Sequence, residues 1–292
     1  MGETLRLLAR DKVALAAALF LLLVLACAVF GPVVLGEAAD KMNLRQRNAP
    51  PFSLADGWLY VLGADALGRS ILARIVVAAR DTVTIATLAV ALSLVAGGTI
   101  GLVAGYARGW TETVIMRFAD ILMSFPSLLL AVVVLYVFNP GVATVVAVLA
   151  ITRLPIYIRT IRAEVLEIRE RLFVQAARVL GAGPVRLIGR HIAPVTVPTL
   201  ITIATLDFAF VMLAESALSF LGIGIQPPDV TWGLMVAQGR NYLATAWWLA
   251  FFPGLAIMLT TLSLNLLSSW MRLAADPTQR WRLDRAPDTG AR

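Results

Sequence analysis

The sequence predicts an all-α integral membrane protein with six transmembrane helices and both termini in the cytoplasm. Three observations carry that prediction. Of 292 residues, 59% are hydrophobic and 15% are charged, with a mean hydropathy of +0.82, a balance foreign to soluble domains. Six apolar segments, near 13–35, 82–106, 114–138, 142–158, 195–221 and 247–273, each approach the ~20 residues a helix needs to span hydrocarbon. Finally, a cytoplasmic N-terminus collects Arg6, Arg10, Lys12, Arg108, Arg117, the eight arginines from Arg153 to Arg190, and Arg272, Arg280, Arg282, Arg285 and Arg292 on one side. The other side keeps Lys41, Arg45, Arg47, Arg69, Arg74, Arg80 and Arg240. That asymmetry satisfies the positive-inside rule. It also accounts for the net charge of +7 without nucleic acid, for which no aromatic and basic surface or separate soluble domain is visible.

The segments divide the chain into an N-terminal tail and first transmembrane helix (1–35), an extracytoplasmic loop with an amphipathic helix (36–81), a five-helix core (82–273) and a cytoplasmic tail (274–292). The first segment is expected to be a retained anchor rather than a cleaved signal, because its apolar run continues past Ala26-Cys27-Ala28 through Phe30 and Val33. Cys27 is the only cysteine, so no disulfide framework can form within the chain. In the following loop, Leu62 to Arg74 reads as an amphipathic surface helix, with Ile71 and Ile75 at helical spacing and Arg69 and Arg74 reaching water.

The second span carries Gly97, Gly101 and Gly105 at intervals of four. Such a stripe lets another helix backbone approach closely, which is how helices pack where lipid offers no hydrophobic contrast, and a moving, substrate-lining helix could use the same smooth face. In the third span Asp120 precedes Phe125-Pro126-Ser127, and Pro126 is expected to bend the helix. Arg153 and Pro155 interrupt the end of the fourth. The fifth carries Asp207 and Glu215, eight residues apart and so on roughly one helix face. Carboxylates at bilayer depth need a cavity or a polar partner. Asp120, Pro126, Asp207 and Glu215 therefore either line a translocation path or make helix contacts.

Catalytic chemistry is missing from the sequence. His191 is the only histidine, and the only lysines, Lys12 and Lys41, are followed by Val13 and Met42, so no Walker-type phosphate loop exists. If ATP drives this protein, another subunit binds it. The segment from Arg159 to Pro194 is the place where such a subunit could act. Most connections in a helical bundle are a handful of residues, yet this one carries helix formers from Leu166 to Leu180, a Gly181 and Gly183-Pro184 break, and a second helix from Pro184 to Ile192. Val185, Ile188 and Ile192 lie along one side of that second helix, with Arg186, Arg190 and His191 around it.

These residues resemble the EAA loop of ABC importer permeases, whose pattern is Glu-Ala-Ala, three residues, Gly, nine residues and Ile-x-Leu-Pro. The chain supplies Gln175-Ala176-Ala177, Gly181 and His191-Ile192-Ala193-Pro194. It departs from the pattern at Gln175, His191 and Ala193. Further blocks, Leu62 to Arg69, Asp120 to Ala131, Leu213 to Pro228 with Trp232-Gly233, Phe252 to Ile257, and Asp276-Pro277, resemble the second permease of dipeptide and oligopeptide importers, the DppC and OppC type. The resemblance departs at Tyr60-Val61, where that group usually has a His-Pro-like pair, and at Ser70, where Asp is common.

The resemblance implies the type I ABC importer permease fold, with 159–194 as a cytoplasmic coupling loop acting through Gln175, Ala176, Ala177, Gly181, Arg186, Arg190, His191 and Pro194. It implies a translocation subunit without enzymatic activity in the inner membrane of a bacterium. Implied partners are a second permease, two cytoplasmic ATP-binding subunits that hold ATP and Mg2+, an extracytoplasmic solute-binding protein and membrane lipid. No cofactor is expected in the chain itself. The alternative is an ion-coupled secondary transporter using Asp207 and Glu215.

Overall fold

In the computed structural model, residues 7–54, 57–138 and 141–275 are described. Arg6, Arg280, Arg282, Arg285, Arg292 and Asp276-Pro277 lie outside the described residues. The helices in chain order are α1 (Lys12–Asp40), α2 (Ile71–Ala107), α3 (Trp110–Ser124), α4 (Ser127–Val137), α5 (Val142–Ile168), α6 (Leu172–Val179), α7 (Pro184–Phe220), α8 (Trp232–Gly239) and α9 (Trp248–Ala275). Among the described residues α1, α2, α5, α7 and α9 are each long and apolar enough to cross a membrane. The expected third span is a broken pair: α3 and α4 meet at 88°. Pro126 sits in the break as the residue before α4 rather than inside a bent helix, since its missing N–H and its effect on Phe125 disfavour helix there.

Two compact units emerge, Met1–Val83 with Pro227–Arg292, and Thr84–Gln226. In the first, Asp11 caps α1, its Oδ1 accepting from the Val13 and Ala14 amides at 3.1 Å each, which satisfies two of the free N–H groups at the helix start. α9 packs on both α8 and α1. Gly31 brings α1 against Val76, where a Cβ would fall 2.7 Å from the Val76 carbonyl oxygen. Trp232 ties α8 to α2 through Nε1 to the Ile75 carbonyl (2.8 Å) and its amide to Thr82 Oγ1 (3.1 Å). The amphipathic helix expected from Leu62 is absent: Leu62 ends a short 3-10 helix, 63–70 is a tight loop closed by a bridge between Ala64 and Ser70, and the helix begins at Ile71 as the first turn of α2. Arg74 does not reach water either; it is buried and paired with Asp65.

In the second unit the glycine stripe of α2 meets α5. A Cβ at Gly97 would lie 2.6 Å from Tyr157 Cβ, at Gly101 2.9 Å from the Ile158 carbonyl oxygen, and at Gly105 2.6 Å from Val165 Cβ. No side chain fits there, so the helices touch backbone to side chain as the spacing predicted. Ser93 Oγ donates across the same contact to the Ala150 carbonyl at 3.0 Å. α5 runs unbroken through Arg153 and the buried Pro155 to Ile168, further than the fourth apolar segment indicated. Membrane helices tolerate an internal proline when neighbouring groups satisfy the freed backbone.

Candidate coupling site and intramembrane ion pairs

The segment after α5 folds as a helical elbow whose local geometry follows from its sequence. Gly181 has φ +85°, a left-handed conformation in which a side chain is strained. The Gly181 amide donates to the Arg178 carbonyl and the Ala182 amide to the Ala177 carbonyl, both at 3.0 Å. That pair of bonds is a Schellman cap ending α6, and the apolar contact that accompanies it comes from Ala177 and Ala182, both packed on one cluster. Gly183-Pro184 then starts α7, with Pro184 in its first turn, where a missing N–H costs nothing. The second short helix expected over Pro184–Ile192 is therefore the first part of α7, widened into a π-helical stretch over Leu187–Ile192.

The inner face of the elbow is fixed. Val174, Leu187 and Ile192 are buried with Ile161, Val165 and Ile168 of α5, so the elbow is packed onto the ends of α5 and α7. Its outer face is open: Val179, Leu180 and Val185 are 88%, 87% and 86% exposed. Leu172 and Phe173 are exposed as well. On the first helix and its end, Phe173, Ala176 and Leu180 look outward while Ala177 packs inward. Val185 projects outward, whereas Ile192 is buried and Ile188 half-buried, so these three do not form one free apolar side.

Arg186 and Arg190 line a shallow groove with Gly181, Pro184, Val185 and Gly189. They and Arg178 form no ion pair among the described residues. His191 is half-buried and Pro194 exposed. Gln175 is exposed, and its Nε2 donates to the Glu170 carbonyl at 3.0 Å. A glutamate cannot make that bond, because an ionised carboxylate only accepts. The amide folds back onto the elbow where a carboxylate would be repelled from it.

Two of the carboxylates singled out in the sequence pair with arginines of α5. Asp207 Oδ1 accepts from Arg153 Nε at 2.9 Å and from Nη2. Asp207 is 2% exposed, the Arg153 guanidinium stacks on Phe210 at 4.1 Å, and the buried Tyr157 lies beside the same carboxylate. Asp120 pairs with Arg159, and Glu112, eight residues earlier on the same face of α3, takes Arg162 Nε at 2.9 Å. Glu215 is buried and accepts from Ser219 Oγ at 2.8 Å on its own helix. Asp120, Asp207 and Glu215 are thus all engaged in contacts within or between helices. Sequence reading passed over Arg153, Arg159, Arg162 and Glu112 as functional positions. The available signal was Arg153 itself, a charge inside an apolar span that demands a partner.

The family model described as binding-protein-dependent transport system inner membrane component matches residues 97–281. The chain belongs to that family. A second model, the N-terminal TM domain of oligopeptide transport permease C, matches residues 1–51. The di/tripeptide transport system permease protein DppC of Pseudomonas aeruginosa is 40% identical over 92% of this chain and 89% of its own length. The glutathione transport system permease protein GsiD of Pectobacterium atrosepticum is 35% identical over 92% and 88%, and a probable D,D-dipeptide transport system permease protein DdpC of Escherichia coli is 34% identical over 89% and 86%. This permease is accordingly an inner-membrane component of an ABC importer, a translocation subunit whose family works with ATPase and substrate-binding partners. Membership in that family sets aside the ion-coupled alternative built on Asp207 and Glu215.

Proposed function

We propose that this permease, with both termini in the cytoplasm, forms half of the translocation path of a peptide importer and receives the work of ATP hydrolysis through the 172–190 elbow. The observation that carries the reading is the division of the elbow into a buried inner face and an outer face of exposed apolar side chains and arginines with no acidic partner among the described residues. Apolar side chains left in water beside unpaired cations are what a protein partner covers. Two cytoplasmic ATPase subunits, which bind the ATP and Mg2+, press on that face. Because Val174, Leu187 and Ile192 join the elbow to α5 and α7, the push turns whole helices. A second permease completes the path and an extracytoplasmic solute-binding protein delivers the cargo. Such a switch between inward and outward openings works only if each ligand state favours one conformation over the other.

Peptides are the cargo best supported, since two of the relatives named above carry peptide names; glutathione, itself a short peptide, is in the name of the third. The test is reconstitution of this chain with the second permease, the ATPases and the binding protein in vesicles. ATP-dependent uptake of a labelled dipeptide supports the reading, and uptake that proceeds without the ATPases sinks it. Reversing charge at Arg186 and Arg190 should weaken ATPase association at least about tenfold, measured as the affinity of the isolated ATPases for the permease pair in nanodiscs; unchanged affinity removes both residues from the docking face.

A further inference from the structure

The first unit holds a largely apolar cavity with one charged wall that the coupling mechanism does not use. Turns before α2 wrap backbone around Asp65, whose Oδ1 accepts from the Leu67 and Arg69 amides at 2.8 and 2.9 Å. Its Oδ2 accepts from Arg69 Nε and from Arg74 Nη1, both at 2.7 Å. One carboxylate therefore serves two guanidiniums. Arg74 is 4% exposed and reaches Gln238 Oε1 at 3.4 Å with its remaining terminal nitrogen. Asp65, Arg69, Arg74, Gln238, Asn241 and Tyr242 form the polar wall of a cavity of about 320 Å³. Asp40, whose field also reaches Arg74, is exposed and off that wall.

A purely structural knot would balance its charges and fill its space, because an uncompensated buried charge is expensive. Among the described residues the wall of this cavity instead carries two guanidiniums against one carboxylate, a surplus of one positive charge with Asp40 lying off the wall, beside amide and phenol groups. We propose that the cavity binds a carboxylate. The guanidinium fork matches the two oxygens of that group, and one surplus charge is neutralised by a monoanion, whereas a phosphate dianion would overshoot it. In the topology proposed above the cavity opens on the extracytoplasmic side, where two sources offer this chemistry: the C-terminal carboxylate of the transported peptide and an acidic side chain of the solute-binding protein. The first source rests on the peptide reading.

The assembled transporter in nanodiscs provides the test. Arg69, with its side chain 18% exposed, is reachable by phenylglyoxal, and peptide mass spectrometry follows its modification. Acetate at twice its dissociation constant should slow that modification about threefold relative to chloride at equal ionic strength; an unchanged rate overturns the proposal. Arg69→Gln then separates the sources. If the peptide supplies the group, the variant loses the preference for dialanine over dialanine amide in uptake, and Arg69→Lys recovers part of it. If the binding protein supplies it, that preference stays and docking of the binding protein weakens at least about tenfold. Acetate protection with neither readout altered marks an adventitious ion only, and the proposal falls. A native transporter that takes up neither probe refutes the peptide reading alone, leaving acetate protection and docking to decide the cavity.

Discussion

The contact of α2, α5 and α7 and the outer face of the 172–190 elbow belong to the same compact unit and are built on opposite rules. In the helix contact the marked groups of the sequence find their match inside the chain: Asp207 Oδ1 has Arg153, and Gly97, Gly101 and Gly105 have the side chains and backbone of α5. On the elbow, Val179, Leu180 and Val185 face solvent and Arg178, Arg186 and Arg190 have no acidic partner among the described residues. The glycines divide the same way. A Cβ at Gly105 would overlap Val165, while one at Gly181 would meet nothing within 4 Å and is opposed only by the positive φ. Free energy in the first region holds the fold together; the second is left for a partner.

The largest effect should come from breaking the buried pair. Arg153→Met strands Asp207 at 2% exposure, and removing one member of a buried ion pair costs about 3–5 kcal/mol. The thermal midpoint of the purified permease should fall sharply. Adding Asp207→Asn removes the stranded charge, so the double variant should regain most of the loss. A double variant as unstable as the single one would mean that Arg153 acts through its stacking on Phe210 instead.

Next in size is Gly105→Leu. Val165 Cβ and the Arg162 carbonyl oxygen stand 2.6 and 2.9 Å from the new Cβ, and overpacking of this kind costs about 1–3 kcal/mol. Lower thermal stability with normal transport per folded molecule would fit a packing stripe. Normal stability with impaired transport would instead make the smooth face a sliding surface and blur the contrast with the elbow.

The helix contact was the more legible of the two regions. A glycine every fourth residue announces close packing, and a carboxylate such as Asp207 within an apolar span announces a partner. What the sequence could not reveal was which partner, because Arg153 and Asp207 are 54 positions apart and single-chain periodicity carries no information about pairs that distant. The elbow was legible in its breaks and its composition, since Gly181 and Gly183-Pro184 are local signals. Its faces were less so. Val174 and Leu187 turn inward because α5 extends ten residues past Ile158 to present Ile161, Val165 and Ile168, and the charges there had suggested that the span was already over. The Asp65 cluster was misread for a related reason: Ile71 and Ile75 set a helical period, but Asp65, held in a turn that no periodicity encodes, sequesters Arg69 beside it and Arg74 of α2.

On the elbow itself, Gly181→Val should cost about 1–3 kcal/mol of local strain and relax by loosening the cap that ends α6. Because nothing packs against that position, global stability should change less than in Gly105→Leu. The expected signature is ATP hydrolysis that continues while uptake falls, read in one vesicle preparation. Hydrolysis and uptake falling together would place Gly181 with the structural glycines.

The smallest effect should come from Gln175→Glu. The bond lost, Nε2 to the Glu170 carbonyl at 3.0 Å, is solvent-exposed and contributes only about 0.5–1.5 kcal/mol, so folding should barely change. The new carboxylate, repelled by that carbonyl, swings outward and adds a negative charge to an elbow whose exposed arginines are Arg178, Arg186 and Arg190. If the outer face is read electrostatically by the ATPases, the affinity between permease and ATPase must shift, and its salt dependence with it, because exposed charges steer partners over about one Debye length. An unaltered affinity across a range of salt would assign partner recognition to Val179, Leu180 and Val185, and would turn the arginines into solubilising neighbours of an apolar contact.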